Sequence, residues 1–188
     1  MIKASGAFLL LSVILAVSAS SNSTTTTTCF SANTAVETLH RGSVKIADLK
    51  AGDMIKTFDF AAQRVEYSKF VDYLHFDRSI ETEFLAIRVK GSSQSAPIEI
   101  SPMHLIQRRS SVKGDHEFVF ARDLNVNDEI SMLDAKTNEM SVKEIESIES
   151  MISVGAFAPL TESGTLLVND VYVSCYANCY WHNLVHFA

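Results

Sequence analysis

The feature that most constrains the fold is an internal repeat. Residues 48–55 (DLKAGDMI) recur 75 positions later as residues 123–130 (DLNVNDEI). Without gaps the match continues, so that Val65 falls on Met140 and Phe70 on Ile145. A chance match of two turns is the alternative, and the extended register argues against it. Two copies of one unit predict a duplicated fold with pseudo-two-fold symmetry.

The spacing of apolar residues predicts that both copies are built from strands. Apolar and polar residues alternate, with the period of two that is typical of half-buried strands. Residues 140–150 are ambiguous between helix and strand, and their match to the first copy favours strand. We therefore expect an all-β domain with turns at residues 59–63 and 134–139. The alternating segments are residues 65–76, 84–90, 117–120, 130–133 and 171–173.

The same repeat predicts which residues meet at the symmetry axis. An offset of 75 residues carries Cys29 onto His104. In a duplicated fold these two residues would occupy equivalent points of the two copies, near the axis that relates them.

The amino terminus differs in composition from the rest of the chain. Residues 1–19 combine Lys3, an apolar run over residues 7–17 and a small-residue end, which is the pattern of a cleaved secretory signal peptide. An uncleaved anchor helix is the alternative, although the run is short for a bilayer. Residues 20–28 form a threonine-rich leader that cannot bury a core. Within the leader, Asn22 begins a glycosylation sequon.

Charge and cysteine count narrow the classes of function. The net charge of -6 and the lack of a Lys/Arg cluster argue against a nucleic-acid partner. Three cysteines in a secreted chain leave at least one thiol free, either as a reactive nucleophile or as an inert buried residue. Of six histidines, His104 has the most suggestive neighbourhood, because it follows a strand that ends at Ser101 and Pro102. A purely structural histidine is the alternative.

Five blocks of sequence, taken in order, resemble one family. They resemble segments of the Hedgehog–intein (Hint) domain, and most closely the C-terminal autoprocessing (Hog) domain of Hedgehog and nematode Hedgehog-related proteins. The blocks are CFSANTAV from Cys29, LHFDR over residues 74–78, SPMHL from Ser101, GAFAPLT through GTLLVN over residues 155–169, and SCYA from Ser174.

The resemblance implies the Hint fold and a self-cleavage chemistry. Cys29 would attack the carbonyl of Thr28, which gives an internal thioester by an N-to-S acyl shift. Ser101 would hydrogen-bond at the scissile Thr28–Cys29 peptide, and His104 would protonate the leaving amine. No metal or cofactor is implied.

Two further residues gain roles from the resemblance. Asp77 would help activate the second nucleophile, or else be a turn aspartate beside Arg78. Cys175 would lie close to Cys29 and tune its thiol, form a disulfide with it, or merely pack.

The sequence departs from the family pattern in ways that affect the acyl acceptor. Hedgehog proteins place glycine before the nucleophile, whereas Thr28 is β-branched and crowds the carbonyl. Cleavage would release only residues 20–28, and the chain stops 13 residues after Cys175, short of the family's sterol-recognition region. Water or a small thiol is therefore expected as the acceptor rather than a sterol. Protein splicing is not expected, because His182 and Asn183 come too late and are followed by Leu184.

These expectations define four segments and three candidate functions. The segments are a signal peptide (1–19), a leader (20–28), a Hint autoprocessing domain (29–177) and a short tail (178–188). The first candidate is a secreted, monomeric autoprocessing domain whose partners are its own leader and a small nucleophile. The second is an inert secreted Hint module that binds or supports other molecules. The third is a truncated gene model of a longer Hedgehog-like precursor.

Overall fold

A computed structural model describes residues 29–92, 96–110 and 114–177 of the chain. The predicted signal peptide, the leader with Asn22 and Thr28, and the tail with Cys179 lie outside the described residues. Within the described ranges there is no α-helix, and no helix is therefore long and apolar enough to cross a membrane. The predicted all-β class is confirmed.

The described chain forms one sheet of eleven strands. Two short 3-10 turns, Ile46–Asp48 and Ala121–Asp123, interrupt the strand series at equivalent places. The strands lie in the order β10-β1-β3-β4-β9-β8-β11-β6-β7, with β2 beside β1 and β5 beside β4. Their bounds are β1 Ala35–Thr38, β2 Gly42–Lys45, β3 Met54–Asp59, β4 Arg64–Val89, β5 Ile98–Ile100, β6 His104–Arg109, β7 His116–Phe120, β8 Glu129–Leu133, β9 Met140–Thr161, β10 Thr165–Val168 and β11 Val171–Ala177.

The predicted duplication is present in the strand pairing. Strand β3 follows the first 3-10 turn and pairs with β4, just as β8 follows the second and pairs with β9. In each copy the hairpin before the turn also contacts the strand after it, through Thr38 with Ile55 and through Arg108 with Ile130. The residues after each hairpin are related by 75 positions, as the sequence predicts.

The predicted equivalence of Cys29 and His104 is wrong. Ala35 pairs with Lys45 in the first copy, and Leu105 pairs with Phe120 in the second. The second hairpin is therefore five residues longer, and the offset before it is 70 rather than 75. His104 consequently corresponds to Thr34, and Cys29 corresponds to Glu99.

Strands β4 and β9 form a long ribbon that spans both copies. They run 26 and 22 residues and pair antiparallel from Phe70 with Thr161 to Val89 with Ile145, through several register shifts. The sequence predicts separate strands over residues 65–76 and 84–90, and the structure joins them. The shifts act as β-bulges, which bend a strand without ending it. The choice of strand for residues 140–150 is confirmed.

The ribbon and the shorter strands enclose separate apolar clusters. The largest cluster contains residues of both copies, among them Phe30, Ile100 and Phe157. A small second cluster joins Cys29 to Phe84 and to residues of β9. Cys29 therefore lies in an apolar environment of its own, at the edge of the main core.

Candidate functional site

The residues after Thr28 lie as a short extended segment between β5 and β9. Phe30 forms bridges with Phe157 on one side and with Ile100 on the other. On the β9 side, Phe30 and Phe157 exchange two backbone hydrogen bonds of 2.9 and 3.0 Å. On the β5 side, the amide of Ser101 donates to the carbonyl of Cys29 at 2.9 Å. Backbone hydrogen bonds to β9 on one side and to the residue after β5 on the other therefore hold Cys29 and Phe30 in place.

The amide of Cys29 departs from the regular ladder of hydrogen bonds. Antiparallel pairing would direct this N–H to the backbone carbonyl of Ser101. It donates instead to the hydroxyl Oγ of Ser101, at 2.8 Å, with both residues fully buried. The nitrogen involved is the one that leaves if the Thr28–Cys29 bond is cut. Ser101 therefore holds the leaving group of the predicted reaction.

His104 lies one turn beyond Ser101 and is also buried. Its amide donates to the carbonyl of Ser101 at 3.1 Å, which closes the turn at Pro102 that the sequence predicts. The ring packs on Phe30, with centroids 4.4 Å apart, and Nε2 lies 2.9 Å from the carbonyl oxygen of Ser174. A carbonyl can only accept, so the hydrogen of the neutral ring is on Nε2. Nδ1 is then the nitrogen with a lone pair that can take up a proton.

The thiol of Cys29 lies among apolar side chains. Its cluster contains Phe84, Ala156 and Ala158, with Met151 packed against them. Burial raises the pKa of the Cys29 thiol to about 12, from an ordinary value of 9.0. At neutral pH the group is a thiol, so an attack by sulfur requires a base that removes its proton.

Asp77 pairs in the sheet with Ala156, which is a member of the Cys29 cluster. Its Oδ1 accepts hydrogen bonds from the amide of Ser79 at 2.8 Å, the hydroxyl of Ser79 at 2.9 Å and the amide of Ile80 at 3.1 Å. Those bonds, led by the Ser79 amide, lower the pKa of the carboxyl. The local geometry is that of a turn aspartate.

Cys175 belongs to a different cluster from Cys29, and both are free thiols. The hydroxyl of Thr161 lies 3.4 Å from the sulfur of Cys175, and burial raises the pKa of this thiol to about 11. Cys175 directly follows Ser174, whose carbonyl fixes the ring of His104. Cys175 is therefore the neighbour in β11 of the residue that bonds to His104.

No group of three or more metal-ligating side chains is present within residues 29–92, 96–110 and 114–177. The site that the structure assembles consists of Cys29, Ser101 and His104, with the carbonyl of Ser174 behind the histidine.

Sequence analysis missed Ser31 and Glu99, which face each other beside Cys29 and Ser101. The hydroxyl of Ser31 donates to Oε2 of Glu99, and both residues are buried. The signal that could have found them is a second alignment, at an offset of 70. It places the serine of Phe30-Ser31 on the serine of Ile100-Ser101.

Comparison with known sequences identifies the family of the chain. The sequence profile of the Hint module matches residues 17–188. Warthog protein 1 of Caenorhabditis elegans is 33% identical over 165 residues, which cover 85% of this chain and 32% of that protein. Sonic hedgehog protein of Xenopus laevis is 29% identical over 163 residues, covering 85% of this chain and 36% of that protein. The chain spans about a third of the length of these relatives.

Solved structures with the same fold include inteins. A DnaB intein from Synechocystis sp. PCC 6803 superposes with a TM-score of 0.64 at 16% identity, over 81% of this chain and 99% of that one. An intein-like domain from Clostridium thermocellum gives a TM-score of 0.59 at 24% identity, over 78% and 97%. At these identities the likeness concerns the fold. The sequence match and the fold agree, and the chain belongs to the Hint family.

Proposed function

We propose that this chain is a single-turnover autoprocessing domain that cuts the bond between Thr28 and Cys29. The observation that carries the proposal is the 2.8 Å hydrogen bond from the Cys29 amide to the Ser101 hydroxyl, one turn away from a buried histidine. The ladder of hydrogen bonds is diverted at the amide of Cys29, which belongs to the predicted scissile bond.

The first step is an N-to-S acyl shift. The sulfur of Cys29 forms a bond to the carbonyl carbon of Thr28, and the bond from that carbon to the Cys29 nitrogen breaks. His104 takes the thiol proton on Nδ1 and delivers it to the leaving nitrogen, so that the histidine ends the step as it began. The carbonyl of Ser174 keeps the other ring nitrogen protonated and fixes the ring.

The second step removes the acyl group from sulfur. An external nucleophile bonds to the carbonyl carbon, the carbon–sulfur bond breaks, and the proton of the nucleophile returns to the thiol. We propose water or a small thiol as the acceptor, with a sterol as the less favoured choice. Because Asp77 is engaged by Ser79 and Ile80, we assign it to the turn rather than to this step.

The setting of the reaction follows from the amino-terminal sequence. We propose that residues 1–19 direct the chain into the secretory pathway and that the leader, residues 20–28, is the acyl part of the substrate. The chain is proposed to act as a monomer on itself, without metal or cofactor.

An inert Hint module is the second candidate. It is favoured by one observation, the burial that raises the pKa of the Cys29 thiol to about 12. In that case the serine and histidine would serve packing alone, and the leader would stay attached.

Intact mass distinguishes the two candidates. The full chain is placed behind a folded tag, purified under mild conditions and treated with hydroxylamine or dithiothreitol. We expect loss of everything before Cys29 in the parent chain, and an unchanged mass for Cys29→Ala. A parent chain that stays intact under all conditions, with the circular dichroism of a folded β protein, would instead establish the inert module.

A further inference from the structure

Next to the Cys29–Ser101 pair lies a second polar pair with no role in the proposed reaction. Ser31 faces Glu99 on the same side of the sheet, one residue beyond the bridge of Phe30 and Ile100. The Ser31 hydroxyl donates to Oε2 of Glu99, and it accepts the amide of Asn33 at 3.2 Å. The side-chain amide of Asn33 donates to the same carboxylate oxygen at 3.5 Å.

The two pairs are related by the symmetry of the fold. The offset of 70 residues carries Cys29 onto Glu99 and Ser31 onto Ser101. Rotation about an axis between Phe30 and Ile100 therefore exchanges the Cys29–Ser101 pair with the Glu99–Ser31 pair. In each pair a serine hydroxyl bonds to the residue directly across from it: Ser101 accepts the backbone amide of Cys29, and Ser31 donates to the carboxylate of Glu99.

The burial of Glu99 calls for a physical reason. The residue is 9% exposed and Ser31 is fully buried. None of the ion pairs among the described residues includes Glu99. A buried carboxylate without a cation is costly, and only well-placed hydrogen-bond donors offset that cost. The donors here all come from the segment that follows the nucleophile.

We propose that Glu99 is a positioning residue for the scissile bond and acts through Ser31. Held by Glu99, Ser31 fixes the short segment that starts at Cys29 in the register that presents the Cys29 amide to Ser101. The proposal rests on the proposed function, because it assigns the pair a part in the same cleavage.

The geometry explains why this contact acts on the reacting bond. Only one residue separates the two pairs, and the backbone between them is extended and bonded on both sides. A shift of Ser31 along β5 is therefore passed to Cys29 with little loss. Misplacement of a reacting group by about 1 Å can cost about a hundredfold in rate.

The test uses the tagged full chain with Ser31→Ala, Glu99→Ala and Glu99→Gln. The matched control is Ser131→Ala, because Ser131 is a fully buried serine whose hydroxyl donates to Oε1 of Gln107 at 2.6 Å on another part of the sheet. We expect Ser31→Ala and Glu99→Ala to slow hydroxylamine-induced cleavage by about tenfold or more. We expect Glu99→Gln, which still offers an acceptor to Ser31, to retain most of the rate, as does the control.

A double variant separates positioning from stability. In Ser31→Ala the buried Glu99 carboxylate loses a hydrogen-bond donor. The double variant Ser31→Ala/Glu99→Ala no longer contains that carboxylate, so it should melt at a higher temperature than Ser31→Ala. If the pair positions the scissile bond, the cleavage rate stays low in the double variant. Recovery of the rate together with the melting temperature would assign the pair to stability only and overturn the proposal.

Amide hydrogen exchange gives a readout that does not require cleavage. In the folded chain we expect the Cys29 amide to exchange faster in Ser31→Ala than in the parent, and at the parent rate in Ser131→Ala. Unchanged protection of the Cys29 amide in Ser31→Ala would overturn the positioning role, whether or not the parent chain cleaves itself. A parent that shows the exchange effect but never cleaves would refute the proposed function and leave the mechanical link in place.

Discussion

The two copies of the repeat share one framework but differ in what they place beside the axis. In each copy an aspartate closes the same turn: Asp53 accepts the amide of Lys50 at 2.8 Å, and Asp128 accepts the amide of Asn125 at 2.9 Å. Each also meets an arginine of the preceding hairpin. The turns are copies in structure as well as in sequence.

At the axis the same two positions carry different side chains. Ser31 and Ser101 are equivalent, and each begins a turn that ends three residues later with a hydrogen bond of 3.1 Å. That turn ends at Thr34 in the first copy and at His104 in the second. The scaffold is therefore symmetric while the side chains at its axis differ, and in the proposed function His104, not its counterpart Thr34, carries the proton.

The largest effect is expected when the second copy is made like the first at this position. His104→Thr replaces the proton carrier by the residue that the first copy uses. We expect cleavage at Cys29 to fall by about 10²- to 10⁴-fold, because protonation of the leaving amine is lost. Intact mass after hydroxylamine treatment measures the rate, and circular dichroism checks the fold. Cleavage within tenfold of the parent would show that the histidine is not the proton carrier.

A second change disturbs the packing of the segment after Cys29 against β9 rather than the chemistry. Gly155 has φ +84°, and a Cβ there would lie 2.7 Å from Cε2 of Phe157 and 3.0 Å from Cβ of Ala32. We expect Gly155→Ala to lower the free energy of unfolding by about 3 kcal/mol or more, through overpacking and backbone strain. Denaturant titration measures the loss.

The matched control for that change is Gly52→Ala in the copied turn. Gly52 also has positive φ, at +91°, but no atom lies within 4 Å of its Cβ position. Strain alone should cost about 1 kcal/mol there. Equal losses at the two sites would show that the segment after Cys29 yields easily and is not held against β9.

How far the sequence predicts this molecule depends on which contacts are local. The turn repeat and the alternation of strands follow from residue patterns, whereas Cys29, Ser101 and His104 are brought together at the sequence level by the resemblance to the Hint family. The change of offset from 75 to 70 was missed, because the repeat was extended without a gap, and the pairing of Leu105 with Phe120 makes the longer second hairpin plain. Glu99 was missed for the same reason, since an outward-facing glutamate and a buried one look alike in an alternating strand.

The pH dependence of cleavage tests whether His104 is the base. Because burial raises the pKa of the Cys29 thiol to about 12, the equilibrium thiolate fraction rises about tenfold per pH unit between pH 7 and 9. In the proposed step His104 removes the thiol proton during the attack, so we expect the hydroxylamine-induced rate to stay flat over this range. A rate that rises about tenfold per pH unit would show that a thiolate formed in equilibrium with solvent attacks without the histidine.

The same shift has a defined effect on stability. The folded pKa lies above the unfolded value of 9.0, so the stability gained by burying the neutral thiol is fully present below pH 9. It is lost as the pH rises from 9 towards 12. Rates measured between pH 7 and 9 are therefore free of unfolding from this source.

The two copied turns allow a smaller and sharper comparison. Arg41 approaches Asp53 to 2.6 Å, with 9% of the aspartate side chain exposed, whereas Arg108 lies 3.4 Å from Asp128, which is 25% exposed. We expect Asp53→Asn to lower the free energy of unfolding by about 1 kcal/mol and Asp128→Asn by about half of that. Chemical denaturation of both variants tests the order. A larger loss at Asp128 would show that charge in the second turn matters more than burial.

The smallest effect is expected at Thr34, the counterpart of His104 in the first copy. The ring of His104 bonds to the carbonyl of Ser174, whereas Oγ1 of Thr34 is buried without a hydrogen-bond partner among the described residues. Thr34→Val removes an unsatisfied hydroxyl and keeps the shape, so stability should change by less than about 1 kcal/mol, in the stabilising direction. Thr161→Val is the matched control, since the buried Thr161 hydroxyl donates to the carbonyl of Thr165 at 2.9 Å and its loss should destabilise. If Thr34→Val costs as much as Thr161→Val, the hydroxyl of the first copy has a partner of its own, and the two sides of the axis are less different than their sequences indicate.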